Sequence, residues 1–345
     1  MIQILGNNHT NGVILLLAAS LDYLIGDPWG WVHPVQVMGW VISHFTQLAI
    51  HFWQQPWQRR LAGIGLGMGL IIGTGVAGWF IVLLGIWLNP FLGIGIATIL
   101  LASCFAGRSL RAAAVDVLQP LTAGELELAR SRLSQYVGRD TENLSESEIL
   151  RAVLETVAEN TTDGVTAPLF YAIVGALIPG VGSVPLALAY KAASTLDSMV
   201  GYRREPYMNL GWFSAKSEDL LTWIPCRLTV LTLALMSGKP QQVWRLCRRD
   251  ALADSSPNSG WSESAFAAIL EVQLGGTNVY SGVVKQKPLL GEPTYKITPG
   301  KIDQALELTR YCFLIWLGIG LVFCLVQYAI GLWPRFANAL HNVIV

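Results

Sequence analysis

From Leu61 to Gly107 the chain carries no charged side chain. A helix rises about 1.5 Å per residue, so a hydrocarbon core of about 30 Å takes roughly 20 residues. The run is therefore long enough for two crossings, and Asn89-Pro90 supplies a break between spans over 61–88 and 91–106. Residues 311–333, bounded by Arg310 and Arg335, predict another span, with Trp316, Tyr328 and Trp333 as interface anchors. Residues 11–26 read as a first, imperfect span that includes Asp22.

Composition supports a membrane protein. Hydrophobic residues make up 52% and charged residues 13%, against about 25% charged in soluble domains. The 23 basic and 23 acidic residues cancel, which disfavours nucleic-acid binding in its usual electrostatic mode. The five cysteines form no CxxC pair and no zinc spacing.

Two apolar segments are less regular. Residues 164–190 are interrupted by Pro179, Gly180, Gly182 and Pro185, and read as one broken span or as a helical hairpin. Residues 219–237 contain Pro225 and Arg227, which predicts a second broken segment. The expected fold is all-α: a single integral membrane domain over 1–345, polytopic, with broken or re-entrant helices. Sizeable polar helical segments (26–60, 107–163, 191–218 and 238–310) are expected on one face. Segment 238–310 carries nine basic and seven acidic residues, so that face is expected to be cytoplasmic in a multi-pass protein of the cell (inner) membrane.

The polar segments hold the candidate chemistry. Ser145 with Glu148 spells a capping box for a helix running to about Glu159. On that helix Arg151, Glu155 and Glu159 fall one turn apart on one face. Asn160 and Asp163 follow where the helix is expected to stop before Gly164. Carboxylates repeating at this spacing suit Mg²⁺ or a cationic substrate group. The alternative is a solvated helix on which Arg151 pairs with Glu155. Asp22, Asp27 and His33 form a second group at a Trp-rich turn. Lys191, Thr195 and Ser198 can align on one helical face, with Asp197 off it; the lysine, followed by Arg203 and Arg204, suits phosphate or carboxylate, or marks a positive stop after an apolar segment. Ser256-Pro-Asn258-Ser-Gly260 and Gly275-Gly-Thr-Asn278-Val-Tyr280 are loop-like stretches able to offer amides to anions, with Ser262 expected to cap a helix from Glu263. Gly73-Thr-Gly75-Val-Ala-Gly78 spells a dinucleotide fingerprint inside a membrane run. Helix packing, together with the four-residue repeat of Gly65, Gly69 and Gly73, is the better reading.

Taken together these blocks resemble the adenosylcobinamide-phosphate synthase (cobinamide synthase) family of cobalamin biosynthesis. The resemblance runs over roughly residues 15–330. It is carried by Asp22 to Pro28, His33-Pro-Val, Gly107-Arg108-Ser-Leu-Arg111, Tyr136-Val-Gly-Arg139-Asp140-Thr and Glu155-Thr-Val-Ala-Glu159-Asn160-Thr-Thr-Asp163-Gly-Val. Pro168-Leu-Phe-Tyr171, Tyr190 to Met199, Ser256 to Gly260 and Leu274 to Tyr280 extend it. Ser194 and the Ser214–Asp219 stretch depart from the family pattern.

The resemblance implies an amide ligase. It would join (R)-1-aminopropan-2-ol, usually as its O-phosphate, to the free propionate of adenosylcobyric acid, with ATP and Mg²⁺. A corrinoid and an amino-alcohol phosphate are then the substrates, and ATP would activate the propionate as an acyl phosphate or acyl adenylate. Glu155, Glu159, Asp163, Lys191 and His33 become candidate catalytic residues. Glu155, Glu159, Asp163 and Asp27 become candidate metal ligands. Asn160, Thr195, Asp197, Arg203, Arg204, Ser256, Asn258, Asn278 and Tyr280 become candidate substrate or phosphate contacts. The bilayer would be a partner, with room for association with other membrane proteins of the cobalamin pathway. A transporter for a corrinoid or other polar solute is the alternative of a different class.

Overall fold

The structure is a computed structural model that describes residues 8–26 and 33–344, with side chains as far as Ile330. In chain order the helices are α1 (Asn8–Leu24), α2 (Pro34–Phe52), α3 (Pro56–Leu88), α4 (Pro90–Ala102), α5 (Gly107–Thr122), α6 (Leu126–Leu133) and α7 (Glu146–Asn160). A π-helical turn (Thr161–Thr166) leads into α8 (Ala167–Leu177), α9 (Ser183–Val200), α10 (Tyr207–Leu210) and α11 (Trp212–Met236). Then follow α12 (Pro240–Asp250), a short 3₁₀ turn, α13 (Ser259–Leu270), strands β1 (Leu274–Tyr280) and β2 (Val283–Leu290), and α14 (Pro299–Ile344).

Four helical stretches are long and apolar enough to cross a bilayer: Pro56–Leu88, Pro90–Thr122, Trp212–Met236 and Pro299–Ile330. The second includes a short turn at 103–106 before amphipathic α5. Thr10–Leu24 is a shorter apolar helix. The protein is therefore a helical, polytopic membrane protein. Asn89 ends α3 and begins α4, its side chain accepting from the backbone N–H of Phe91 at 2.8 Å.

Two compact units make up the chain. The first comprises Met1–Phe105, Pro168–Glu218 and Leu314–Val345; the second comprises Ala106–Ala167 and Asp219–Phe313. In the first, α3 packs through glycine. A Cβ on Gly63 would lie 1.8 Å from the Leu210 carbonyl oxygen, and one on Gly78 would lie 2.4 Å from Leu188. Gly65, Gly69 and Gly73, expected to form the packing stripe, instead have no neighbour within 4 Å among the described residues. The packing face is offset from the four-residue repeat.

Residues 164–190 resolve as the hairpin alternative. Helix α8 ends at a turn in which Gly180 and Gly182 take positive φ, and the chain returns in α9. By contrast, 219–236 lies inside the unbroken helix α11, which ends one residue short of the expected segment. The expected break fails because the two disruptive residues are absorbed. Pro225 stays within the helix, where the Thr229 hydroxyl bonds its carbonyl at 2.8 Å. Arg227 donates to Asn258 Oδ1 at 2.8 Å and lies against the Trp223 and Trp261 rings, at 5.0 and 4.8 Å from their centroids. A guanidinium so paired no longer faces hydrocarbon alone.

The second unit centres on α7 and α13. Ser145 and Glu148 form the predicted capping box, with the Ser145 N–H donating to Glu148 at 2.8 Å. Nearly every residue of α13 is buried, including Phe266, Ala267 and Glu263. Strands β1 and β2 form an antiparallel hairpin, where the sequence suggested loops. Its two-residue turn, Ser281-Gly282, takes positive φ at both positions, the geometry that matches strand twist.

Candidate active site

Glu155 and Glu159 stand one turn apart on α7 and meet different surroundings. Glu155 is 2% exposed. Arg139 Nη2 donates to its Oε2, and its Oε1 accepts from Arg151 Nη1 at 3.2 Å and from the Gly275 N–H at 2.9 Å. Both arginines also reach the hairpin. Arg139 donates to Asn278 Oδ1 at 2.9 Å, and Arg151 donates to the same atom at 3.1 Å and to the carbonyls of Gly275 and Thr277. Burial would raise the Glu155 carboxyl, but Arg139 and Arg151 outweigh it and hold it below its ordinary value. The network joins β1 to α7. Both Glu155 oxygens are engaged in it, which gives this side chain a structural role. Arg139 and its neighbour act together: the Asp140 carboxylate accepts the N–H groups of Ser281 and Gly282 at 2.9 and 2.8 Å.

Glu159 is solvent-exposed, in the neighbourhood of Lys287 and Asp254. Enclosure raises its carboxyl, Lys287 opposes the rise, and Asp254 and Glu155 add to it. Glu263 has no exposed surface. Its two oxygens accept from Lys287 Nζ at 3.0 and 3.4 Å. Asp254 caps the Ser256 N–H with Oδ1 at 2.9 Å. Its Oδ2 is buried without a hydrogen bond, 4.0 Å from Lys287 Nζ.

Burial pushes the Glu263 carboxyl up to about 8 despite Lys287, whereas Lys287 itself is raised because Glu263, Glu155, Glu159 and Asp254 outweigh its desolvation. Both shifts favour the protonated form. One ammonium faced by several carboxylates stays protonated. The surplus negative charge is relieved by a proton held on a carboxyl. Among its near neighbours this cluster has too few cations, whereas Glu155 is fully paired.

The turn before α13 explains another motif. The Ser256 hydroxyl accepts the N–H groups of Asn258 and Ser259, both at 3.2 Å. Gly260 is required because a Cβ there would lie 2.7 Å from both the Ala251 carbonyl oxygen and Asp254 Cβ. Asn258 donates to the Asp219 carbonyl at 2.9 Å and accepts from Arg227, so it tethers helices rather than offering a free amide. Helix α13 starts at Ser259, not after Ser262. Ser262 is buried and bonds the Ala158 carbonyl. Asn278 spends its oxygen on the two arginines, while its Nδ2 is buried and unpartnered. Tyr280 is half-buried, with Lys285 Nζ 5.3 Å from its ring centroid.

The α7 helix does not stop before Gly164. It continues through the π-helical turn, and Asp163 lies there, half-buried. Such turns recur at functional sites. Asn160 turns its amide back to the Thr156 carbonyl at 2.9 Å.

The remaining candidates belong to the first unit. His33 caps α2, its Nδ1 accepting from Val35 at 3.3 Å. Thr195 is buried and donates to the Lys191 carbonyl at 2.7 Å. Asp197 and Lys191 are half-buried on α9. Arg203 and Arg204 are exposed, with Arg204 5.2 Å from the Tyr202 ring centroid. Asp27 lies outside the described residues. Asp254, Glu263 and Lys287 escaped the sequence reading. Ser281-Gly282 before an alternating Lys285-Gln-Lys287 stretch was the available signal for the hairpin that carries Lys287.

Helical spans and an acidic cluster around Lys287 define a membrane protein with a charged polar part. The sequence matches the family described as CobD/Cbib protein over residues 15–309, and the chain belongs to that family. It is 57% identical over 317 residues to the cobalamin biosynthesis protein CobD of Synechocystis sp., covering 92% of this chain and 93% of the relative. CobD of Halalkalibacterium halodurans is 39% identical, covering 88% and 95%. The cobalamin biosynthesis protein CbiB of Salmonella typhimurium is 39% identical, covering 85% and 91%. No solved structure matches.

Proposed function

We propose that the chain is an amide ligase of cobalamin biosynthesis. It joins aminopropanol phosphate, or aminopropanol, to the free propionate of adenosylcobyric acid at the expense of ATP. The observation that carries this reading is the accessible Glu159 carboxylate beside the Lys287–Glu263–Asp254 cluster. A primary amine reaches the site as an ammonium ion and becomes a nucleophile only after losing a proton. An acidic cluster short of cations attracts the ammonium, and Glu159 is the proposed acceptor of the proton. Lys287 holds Glu263 and limits repulsion around Glu159. Lys191, Arg203 and Arg204 remain the candidates for nucleotide or phosphate contacts, and Tyr280 for the corrinoid.

Among the described residues, no group of three or more His, Cys, Asp or Glu is arranged to cage a metal ion. Mg²⁺ held mainly by phosphate oxygens and water needs only one or two carboxylates. Glu159, with Asp163, fits that smaller requirement; Glu155 does not. Bound there, Mg²⁺ would spread negative charge on phosphate. The charged cluster lies in segments outside the four spans, which favours an enzyme over a transporter with a midplane site. The membrane would retain the amphipathic corrinoid at the surface, within reach of other pathway proteins, and the active face is proposed to be cytoplasmic.

The test is lipid-reconstituted protein incubated with adenosylcobyric acid, aminopropanol phosphate, Mg²⁺ and ATP, followed by mass analysis. The condensed corrinoid should accumulate with matching ADP or AMP. Movement of a corrinoid across vesicles without amide product would overturn the assignment.

A further inference from the structure

Helix α12 begins only a few residues after α11 ends, across a turn in which Gly238 takes φ +70. Four residues of chain span at most about 14 Å, so α12 must start close to the membrane surface that α11 reaches. Its two faces differ sharply. Val243, Cys247 and Asp250 are buried on the inner face, and Trp244 packs edge-on against Trp261 at 5.2 Å. Gln241, Arg245 and Arg248 fall at helical spacing on the other face, all exposed, and Leu252 just beyond is 77% exposed. Arg249 is engaged by Asp250 and Glu292, and Lys239 lies 3.5 Å from Glu271. Arg245 and Arg248 make no hydrogen bond or ion pair among the described residues.

We propose that this outer face of α12 docks on the headgroups of anionic lipids in the leaflet reached by the C-terminal end of α11. Two features select a lipid as the occupant. The short connection keeps the start of α12 near the membrane surface, so the leaflet is the nearest source of phosphate for its basic face. Planar guanidinium forks match phosphate oxygens in pairs, while an exposed leucine beside them suits the boundary between headgroups and acyl chains. The basic face thereby acts as an orientation anchor, placing segment 238–310 on the side richer in anionic lipid. This inference stands apart from the proposed reaction.

The test uses the full-length protein in neutral detergent, titrated with phosphatidylglycerol or phosphatidylcholine, with retained lipid counted by native mass spectrometry. Phosphatidylglycerol should be retained preferentially, and less so as salt rises. R245Q/R248Q should reduce the preference by on the order of 20-fold, the combined effect of two basic residues near an anionic surface. R245K/R248K should keep most of it. An unchanged melting temperature of the glutamine variant in phosphatidylcholine would show that the fold is intact. Equal retention of the two lipids by the unaltered protein would overturn the proposal, as would a preference that survives in R245Q/R248Q. Displacement of phosphatidylglycerol by millimolar inorganic phosphate would also overturn it, because that would indicate a discrete anion pocket.

Discussion

Glu155 and Glu159 share a helix, a face and a side-chain chemistry, yet one is locked by two guanidinium groups and the other is exposed to solvent. What separates them is the neighbour each receives from elsewhere in the chain. The loop before α7 brings Arg139 to Glu155, and β1 brings Gly275 and Asn278. Around Glu159 the chain instead gathers Asp254 and Glu263 with a single lysine. The same residue type is thus structural in one place and available for proton transfer in the other.

The sharpest way to break this contrast is to remove the Arg139 side chain by Arg139→Met. A buried carboxylate losing its partner costs about 3–5 kcal/mol, so the variant should unfold far more readily in a thermal melt and lose activity with it. Glu159→Gln should do the opposite. Its melting temperature should barely change, while the rate of amide formation drops by on the order of 100-fold or more, as expected for a lost general base. Retained activity in that variant would remove Glu159 from the mechanism.

Titration sharpens the comparison further. The Glu263 carboxyl is raised from 4.5 to about 8. Between those values the folded protein keeps a proton that the unfolded chain has lost, so stability should fall as pH rises through that window. Melting temperatures recorded from acid to mildly alkaline pH should show this slope, and Glu263→Gln should flatten it. The Glu155 network predicts the reverse sign, because its lowered carboxyl contributes stability above the ordinary carboxylate range and loses it only in acid. The smallest effect is expected from Ser145→Ala. Loss of the capping box should cost about 1 kcal/mol of stability, read as a modest shift of the melt with the turnover rate retained.

The spans were legible because they depend on long local runs free of charge, and the capping box because its two partners sit three residues apart. Pro225 and Arg227 misled for the complementary reason. Their acceptance depends on Thr229 nearby, but also on Asn258 and Trp261, which no local pattern connects to α11. The same limit hid most of the acidic cluster. Glu159 could be picked from spacing, but Asp254, Glu263 and Lys287 come from a turn, a helix and a strand. Their shared purpose exists only once the hairpin folds back. Spacing placed Arg151 beside Glu155 and left open whether that face is wet; Arg139 and the hairpin make it dry.

The hairpin is fastened at both ends: Arg139 and Arg151 grip β1 near its start and middle, while Asp140 clasps the turn. A ribbon held this way behaves as a fixed wall and not as a flap. Lys287 is therefore delivered to Glu263 at a constant height.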